Sequence, residues 1–346
     1  MTLSYLHRMH GPASYPAEAA ERAPHILKTW LRYSPDAKPE IRDFEDWAEN
    51  AIMLHEADRI SGGKVRLLDA DSRIRMHGDC TSYVPSRPGA APAFMYGMWR
   101  GSDSVSFPDD VDMVGNNAEA VRAVSAYPTA TAFLEAAGRD FHICDADTHQ
   151  LNAVLKEMHD AGHREVFIKT RFKESACRLT MPAEADDLWY KTVRGSDLEW
   201  FLVQHEGAKG VLFIQGVFEP THEYRMIIVG DQVSTGAGCV EAFTPLDNRG
   251  DLFDPRTEEV RNRSSVTRNP DIVARYIEFA RSFAQVWATE VGDDMMYSLD
   301  LALDATTGNI RAIELNPMTN LGLYACNSAA LADAIADVFA PAKEPA

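Results

Sequence analysis

The segment from Tyr297 to Pro317 limits what this chain can fold into more than any other stretch. Leu299 to Leu303 and Ile310 to Leu315 are alternating or apolar runs of strand length, and Thr306, Thr307, Gly308 and Asn309 between them supply turn chemistry. The pair reads as a β-hairpin. Side chains two apart on a strand face the same way, so Glu314 and Asn316 point together, and hairpin pairing can bring Asp300 onto their face. Two carboxylates and an amide oxygen converging in this way form a hard-oxygen site suited to Mg²⁺ carrying phosphates, with Mn²⁺ as an alternative ion. The competing reading is an exposed acidic turn. Pro317, which ends the strand directly after Asn316, favours the site.

With 346 residues the chain is long enough for two or three packed units. Its formal net charge of −18 repels phosphate at long range, which argues against non-specific binding to nucleic acid or to an anionic membrane. An anionic nucleotide must then be held by a few local cations and a metal. Five scattered cysteines without CxxC spacing exclude a zinc site and a disulfide framework, and fit a reducing cytoplasm. No apolar run has the length of a membrane span, and the N-terminus lacks the apolar core of a signal peptide. The expectation is a soluble, cytoplasmic protein, for which a twofold homodimer is the commonest oligomer.

The N-terminal third gives mixed signals. Helices are expected over Ala23–Tyr33, Phe44–Ala57, Asn116–Ala126 and Thr129–Ala137, a short strand over Lys64–Leu68, and a Pro/Gly-rich loop over Val84–Ala93. The aromatic run Phe94–Arg100 reads as core or interface. Further on, helices are expected over Thr148–Ala161, Ser196–His205, Asp271–Val291 and Ser328–Phe339. Strands are expected over Glu165–Thr170 and Val211–Phe218, with a hairpin of Glu223–Val229 and Gln232–Ala237. The charged stretch Phe243–Arg268 reads as a mobile loop able to carry Arg263 toward a carboxylate substrate. The eleven histidines show no metal-ligand spacing and read as structural or surface residues.

Two further groups of residues have chemical potential. Lys169 follows an apolar run inside a strand, where its ammonium must snorkel to an edge or meet an anion. Arg171 shares its face, and Lys173 and Ser175 follow in a loop; a cationic strand end leading to a hydroxyl-bearing loop can hold phosphate oxygens, or can be a solvated basic end. Gln215 and Gly216 come after the apolar part of the next strand, Pro220 breaks the run, and Glu223 and Arg225 then share a face. Glu223 and Arg225 form either a structural ion pair or a functional set. In the functional reading Gln215 and nearby backbone meet an adenine edge, Glu223 meets ribose hydroxyls, and Arg225 meets a phosphate or acyl-phosphate.

In this order, a strand lysine, an interdomain strand with Gln followed by Glu-x-Arg, and an Asp…Glu-x-Asn hairpin resemble the ATP-grasp superfamily over about residues 145–340. The resemblance implies a mixed α+β and α/β fold: two α+β subdomains clasping a nucleotide, after an N-terminal mixed α/β domain. The expected boundaries are 1–145, 146–212 and 213–346. It also implies ATP and Mg²⁺ as cofactors and ADP-forming ligase chemistry, in which a carboxylate becomes an acyl-phosphate that an amine attacks. By position, Lys169 matches the lysine over the purine and α-phosphate, and Ser175 the phosphate-covering loop. Gln215 with the backbone of Gly216, Val217 and Phe218 matches the adenine hinge, and Glu223 the ribose acid. Asp300, Glu314 and Asn316 match the metal ligands.

The chain departs from the family pattern in three places. The covering loop lacks glycines, so Lys173 and Arg178 stand where backbone amides would meet phosphate. Residues 111–147 contain no lysine, leaving Arg122 as a weak substitute, and Ser298 stands where an arginine often precedes the first metal acid, a charge that Arg225 can replace. Lys173 and Arg225 are therefore the candidate catalytic cations. Two alternatives remain: a nucleotide-binding module on the same fold without turnover, and a kinase that phosphorylates its acceptor without forming an amide. Asn320 and Tyr324, just past the metal strand, line the acceptor site or simply pack the loop.

Overall fold

The computed structural model describes residues 3–7, 14–41, 43–63, 65–70, 81–85, 93–95, 105–106, 118–145, 147–170, 176–183, 211–260, 262–317 and 322–339. The chain divides into two units, one of 1–127, 220–303 and 308–346, the other of 128–219 and 304–307. Both mix helices with sheets, antiparallel in the smaller unit and both antiparallel and mainly parallel in the larger, so the mixed α+β and α/β class expected from the sequence is the one observed.

The smaller unit is built on a four-stranded antiparallel sheet, in the order Ala176–Thr180, Glu165–Thr170, Val211–Gly216, Phe141–Asp145. Alternation sorts its two faces. Val166, Ile168, Leu212 and Ile214 point to one side and form a core with Leu151, Leu155 and Met158 of the Thr148–Asp160 helix. Asp147 caps that helix by accepting from the amides of His149 and Gln150. Lys169 pairs with Phe213 and Gln215 with Phe167, so these four residues share the opposite face. The Val211 strand ends at Gly216, two residues before its expected end.

The larger unit contains the Tyr297–Pro317 hairpin within a six-stranded sheet. Its order is Asn262–Arg268, Arg256–Glu259, Pro220–Val229, Met296–Asp304, Ile310–Pro317, with Gln232–Gly238 paired to Pro220–Val229. Asp304 builds the hairpin turn by accepting from the Thr306 amide and the Thr307 hydroxyl, and Gly308 adopts φ +68°, which a side chain would disfavour. Pro220 opens a strand instead of breaking one.

The helix Phe44–Ser61 starts at Asp43, whose carboxylate accepts from the amides of Glu45 and Asp46, and ends at Gly62 in the left-handed conformation. It packs on Pro24–Tyr33, with Trp30 and Trp47 edge to face at 6.0 Å. Leu331 and Ile335 of the Ser328–Phe339 helix join the same core, as do Ile227 and Val229. A five-stranded sheet of Ala93–Met95, Leu3–His7, Val65–Ala70, Thr81–Pro85 and Val105–Ser106 completes the described N-terminal part.

The stretch Phe243–Arg268 is not the loop expected from its charge. It forms a short 3-10 turn, Pro245–Asp247, and two paired strands, Arg256–Glu259 and Asn262–Arg268. One of its charges is taken up locally: Arg256 donates to both oxygens of buried Asp254 and to the Asp247 carbonyl, and lies over the Phe243 ring. Arg263 lies on the second strand, which removes the mobile carrier proposed for it. The expected helix 196–205 and Asn320 fall outside the described residues. The loop 84–93 and the aromatic run 94–100 are described only at 84–85 with 93, and at 94–95, respectively.

Trp47 has no exposed surface and contacts both Trp30 and Phe44. Trp47→Ala is expected to cost about 3–5 kcal/mol. Urea unfolding followed by tryptophan fluorescence should show the loss, and an unchanged midpoint would contradict this packing.

Candidate active site

In the hairpin, Asp300 lies directly opposite Glu314 and Ser298 opposite Asn316, with a bulge just after Asp300. A bulge re-aims side chains near the rim of a sheet. Here it accompanies the convergence of all three expected donors. Asn316 Nδ2 donates to Asp300 Oδ2 at 3.1 Å and to Glu314 Oε1 at 3.2 Å. One amide nitrogen thus bridges two carboxylates that belong to neighbouring strands.

The fourth member is Arg225 on the Pro220–Val229 strand. Its Nε donates to Asp300 Oδ1 and its Nη2 to Asp300 Oδ2, both at 2.7 Å, a two-point pairing that fits a planar fork to a carboxylate. Arg225 is 7% exposed, Asp300 6% and Asn316 0%, so the pair has little water to screen it. Burial opposes the guanidinium's charge, but the Asp300 carboxylate outweighs it and holds Arg225 firmly protonated. Of the two readings of Glu223 and Arg225 considered from the sequence, the ion pair described for Arg225 is with Asp300 across the sheet. Glu223 lies half-buried on the same face, and its carbonyl accepts from the Cys239 amide. Burial, reinforced by Asp300, raises the Cys239 thiol and keeps it neutral.

A divalent cation fits this donor set. Among the described residues no three His, Cys, Asp or Glu side chains gather as a metal site, so any metal here depends on two carboxylates and one carboxamide. These are the oxygen donors that Mg²⁺ and Mn²⁺ favour. The formal charges of Asp300, Glu314 and Arg225 sum to −1, which still attracts a cation. Half a turn of the Asn316 amide would replace the bridging N–H with Oδ1 between the same carboxylates.

The smaller unit places its expected residues on the sheet face away from the helix. Lys169 is half-buried there, beside Phe213 in register. Gln215 is 5% exposed, and its Oε1 accepts from Arg139 Nε at 3.0 Å and Nη2 at 2.5 Å. The Arg139 guanidinium also lies 5.0 Å from the Phe218 ring centroid. The Gly216 amide donates to the Asp140 carbonyl, and a Cβ at Gly216 would come within 2.7 Å of His163 Cε1, so a side chain here would require the imidazole to move. His163 in turn meets Asp140 Oδ2 at 2.6 Å. Arg178 pairs with Glu165 within this sheet, an engagement the proposed phosphate contact did not foresee. Arg171, Lys173 and Ser175 lie outside the described residues, and of Arg122 only the helical backbone is described.

Sequence reasoning missed Arg139. It looked for a lysine between 111 and 147, and the Gly138-Arg139-Asp140 run reads as an ordinary turn. The available signal was a cation two residues before the Phe141–Asp145 strand.

No protein-family model matches the chain, and no curated protein is similar to it by sequence. Solved structures are similar in overall fold. The D-alanyl-alanine synthetase A from Vibrio cholerae O1 biovar eltor is 9% identical at a TM-score of 0.48, with 97% of this chain and 98% of that one covered. A D-cycloserine synthetase is 13% identical at 0.49, with 97% and 99% covered. A RimK domain ATP-grasp protein from Sphaerobacter thermophilus is 10% identical at 0.46, with 97% and 99% covered.

Removing one member of the buried pair leaves the other uncompensated. Asp300→Ala is therefore expected to lower stability by about 3–5 kcal/mol, whereas Arg225→Met combined with Asp300→Leu should recover most of it. Equilibrium urea unfolding of the two variants compares these directly. Equal losses would show that the cost does not come from an arginine left uncompensated.

Proposed function

We propose that the chain is an ATP-dependent, ADP-forming ligase of the ATP-grasp kind, activating a carboxylate for attack by an amine. The observation that supports this most is the Asn316 amide bridging Asp300 and Glu314 beside a buried arginine. Carboxylates held this close repel each other unless a cation or donor lies between them. In this reading Glu314, Asn316 and Asp300 hold Mg²⁺, which when bound neutralises charge on the β- and γ-phosphates.

The protein's own residues then bind and orient. Arg225 fixes Asp300 and supplies positive charge where the γ-phosphoryl group transfers, with Lys173 as the second catalytic cation. Lys169 with Arg171 and Ser175 takes phosphate oxygens. Gln215, held by Arg139, and the backbone of Gly216, Val217 and Phe218 take the base, and Glu223 the ribose. A carboxylate oxygen of the substrate attacks the γ-phosphorus and ADP leaves. The amine nitrogen then attacks the acyl carbon, the C–O bond to phosphate breaks, and the ammonium proton is lost to phosphate or water. No side-chain nucleophile is required, because positioning supplies most of such catalysis.

In the proposed arrangement residues 1–145 shape the acceptor site, and the substrates are a small or peptidic carboxylate and an amine. Among the described residues no helix is long and apolar enough to cross a membrane, and the described cysteines are free thiols, as a cytoplasmic ligase would have them.

ADP formation from Mg·ATP should appear with a pool of amino acids and short peptides, and should fall at least ~100-fold in Glu314→Ala. ATP bound without turnover across that pool would favour the non-catalytic module, and a phosphorylated product persisting without amine would favour the kinase. Lys169→Met should weaken Mg·ATP binding about ten- to a hundredfold in calorimetry, the value of a charge-assisted hydrogen bond. Unchanged affinity would remove Lys169 from the nucleotide site.

A further inference from the structure

The helix Phe44–Ser61 reaches the turn beside the acidic site through Glu49. Glu49 Oε1 accepts from the backbone amides of Leu323 at 2.7 Å and Tyr324 at 3.2 Å. Two successive N–H groups aimed at one oxygen, with the second residue in the left-handed region, form a backbone nest for an anion. Tyr324 has φ +48°, a value that non-glycine residues rarely adopt, and it is the only non-glycine residue with positive φ among those described.

The same turn faces Arg225 through Gly322 and Tyr324. Its Nη1 donates to the Gly322 carbonyl at 3.0 Å, and its guanidinium lies 5.0 Å from the Tyr324 ring centroid. A Cβ at Gly322 would be 3.5 Å from Arg225 Nη1 and 3.8 Å from Glu49 Oε1, so this residue lies between the two charges. Glu49 therefore holds the segment from one side, and Arg225 uses it from the other. Nη1 is the Arg225 nitrogen that meets Gly322, while Nε and Nη2 hold Asp300.

We propose that Glu49 is a positioning residue for the acidic site: its carboxylate, seated on the Leu323–Tyr324 amides, fixes the backbone that receives Arg225 and so sets the guanidinium on Asp300. The proposal rests on the reading of Asp300, Glu314 and Asn316 as a metal site only for its consequence, not for its geometry. It assigns residues 44–61 a part in the site that no sequence motif announced. A carboxylate is needed in the nest, and a glutamine oxygen can partly replace it because it still accepts hydrogen bonds.

The test uses the full chain with Glu49→Ala and Glu49→Gln. Two readouts are taken: the slowly exchanging Arg225 Nε–H resonance in ¹⁵N spectra, and Mn²⁺ affinity in the presence of ADP by electron paramagnetic resonance. Glu49→Ala is expected to lose the protected resonance and to bind Mn²⁺ about tenfold more weakly. Added formate, or the Gln variant, should restore both in large part. A protected Arg225 resonance in Glu49→Ala would overturn the proposal. So would its loss with no recovery by either formate or glutamine, since that pattern means general unpacking. If Mn²⁺ binds none of the proteins, the metal reading fails, and the Arg225 resonance alone still decides the role of Glu49.

Discussion

The buried two-point pairing of Arg225 with Asp300 is the contact on which the rest of the site depends. It joins the Pro220–Val229 strand to the Met296–Asp304 strand by side chains, and it sets where the first acid of the site can point. Such a pair does little for stability in itself, because the cost of desolvation is close to the Coulomb gain. Its value lies in geometry: with both oxygens of Asp300 receiving arginine N–H groups, the carboxylate cannot turn away from Glu314 and Asn316. A site that must place phosphates to within a fraction of an ångström benefits from such over-determination.

Around that contact the chain solves a charge problem. The protein as a whole is strongly acidic, yet the function inferred for it requires an acidic cluster and an anionic nucleotide together. The cations it uses are few and tightly held. Arg225 is spent on Asp300 and Gly322, Arg139 on Gln215, and Arg256 on Asp254. Pinned guanidiniums cost little further conformational entropy when a ligand arrives, in contrast to flexible surface lysines.

Much of this was legible in the sequence where local chemistry decides the outcome. The hairpin followed from two apolar runs around a Thr-Thr-Gly-Asn turn, and its register placed Asp300 opposite Glu314 as alternation required. The helices over Pro24–Tyr33, Thr148–Asp160 and Pro270–Glu290 followed from periodicity and caps. What was not legible depended on partners far away in the chain. Nothing local to Arg225 says that it prefers Asp300, seventy-five positions away, to Glu223, two away. Glu49 sits among other charged residues on a helix, and its role appears only when the turn after residue 322 folds against it. The segment 243–268 was misread for the opposite reason. Its charges looked solvated, but Asp254 takes up Arg256 locally and the segment forms strands.

The most direct measurement is the anomalous diffraction of Mn²⁺ in crystals grown with ADP. The account predicts a peak within coordination distance, about 2.0–2.2 Å, of Glu314 and of an Asn316 amide turned to present Oδ1, with Arg225 still on Asp300. A peak elsewhere, or an Asn316 nitrogen still bridging the two carboxylates at saturating Mn²⁺, would contradict it.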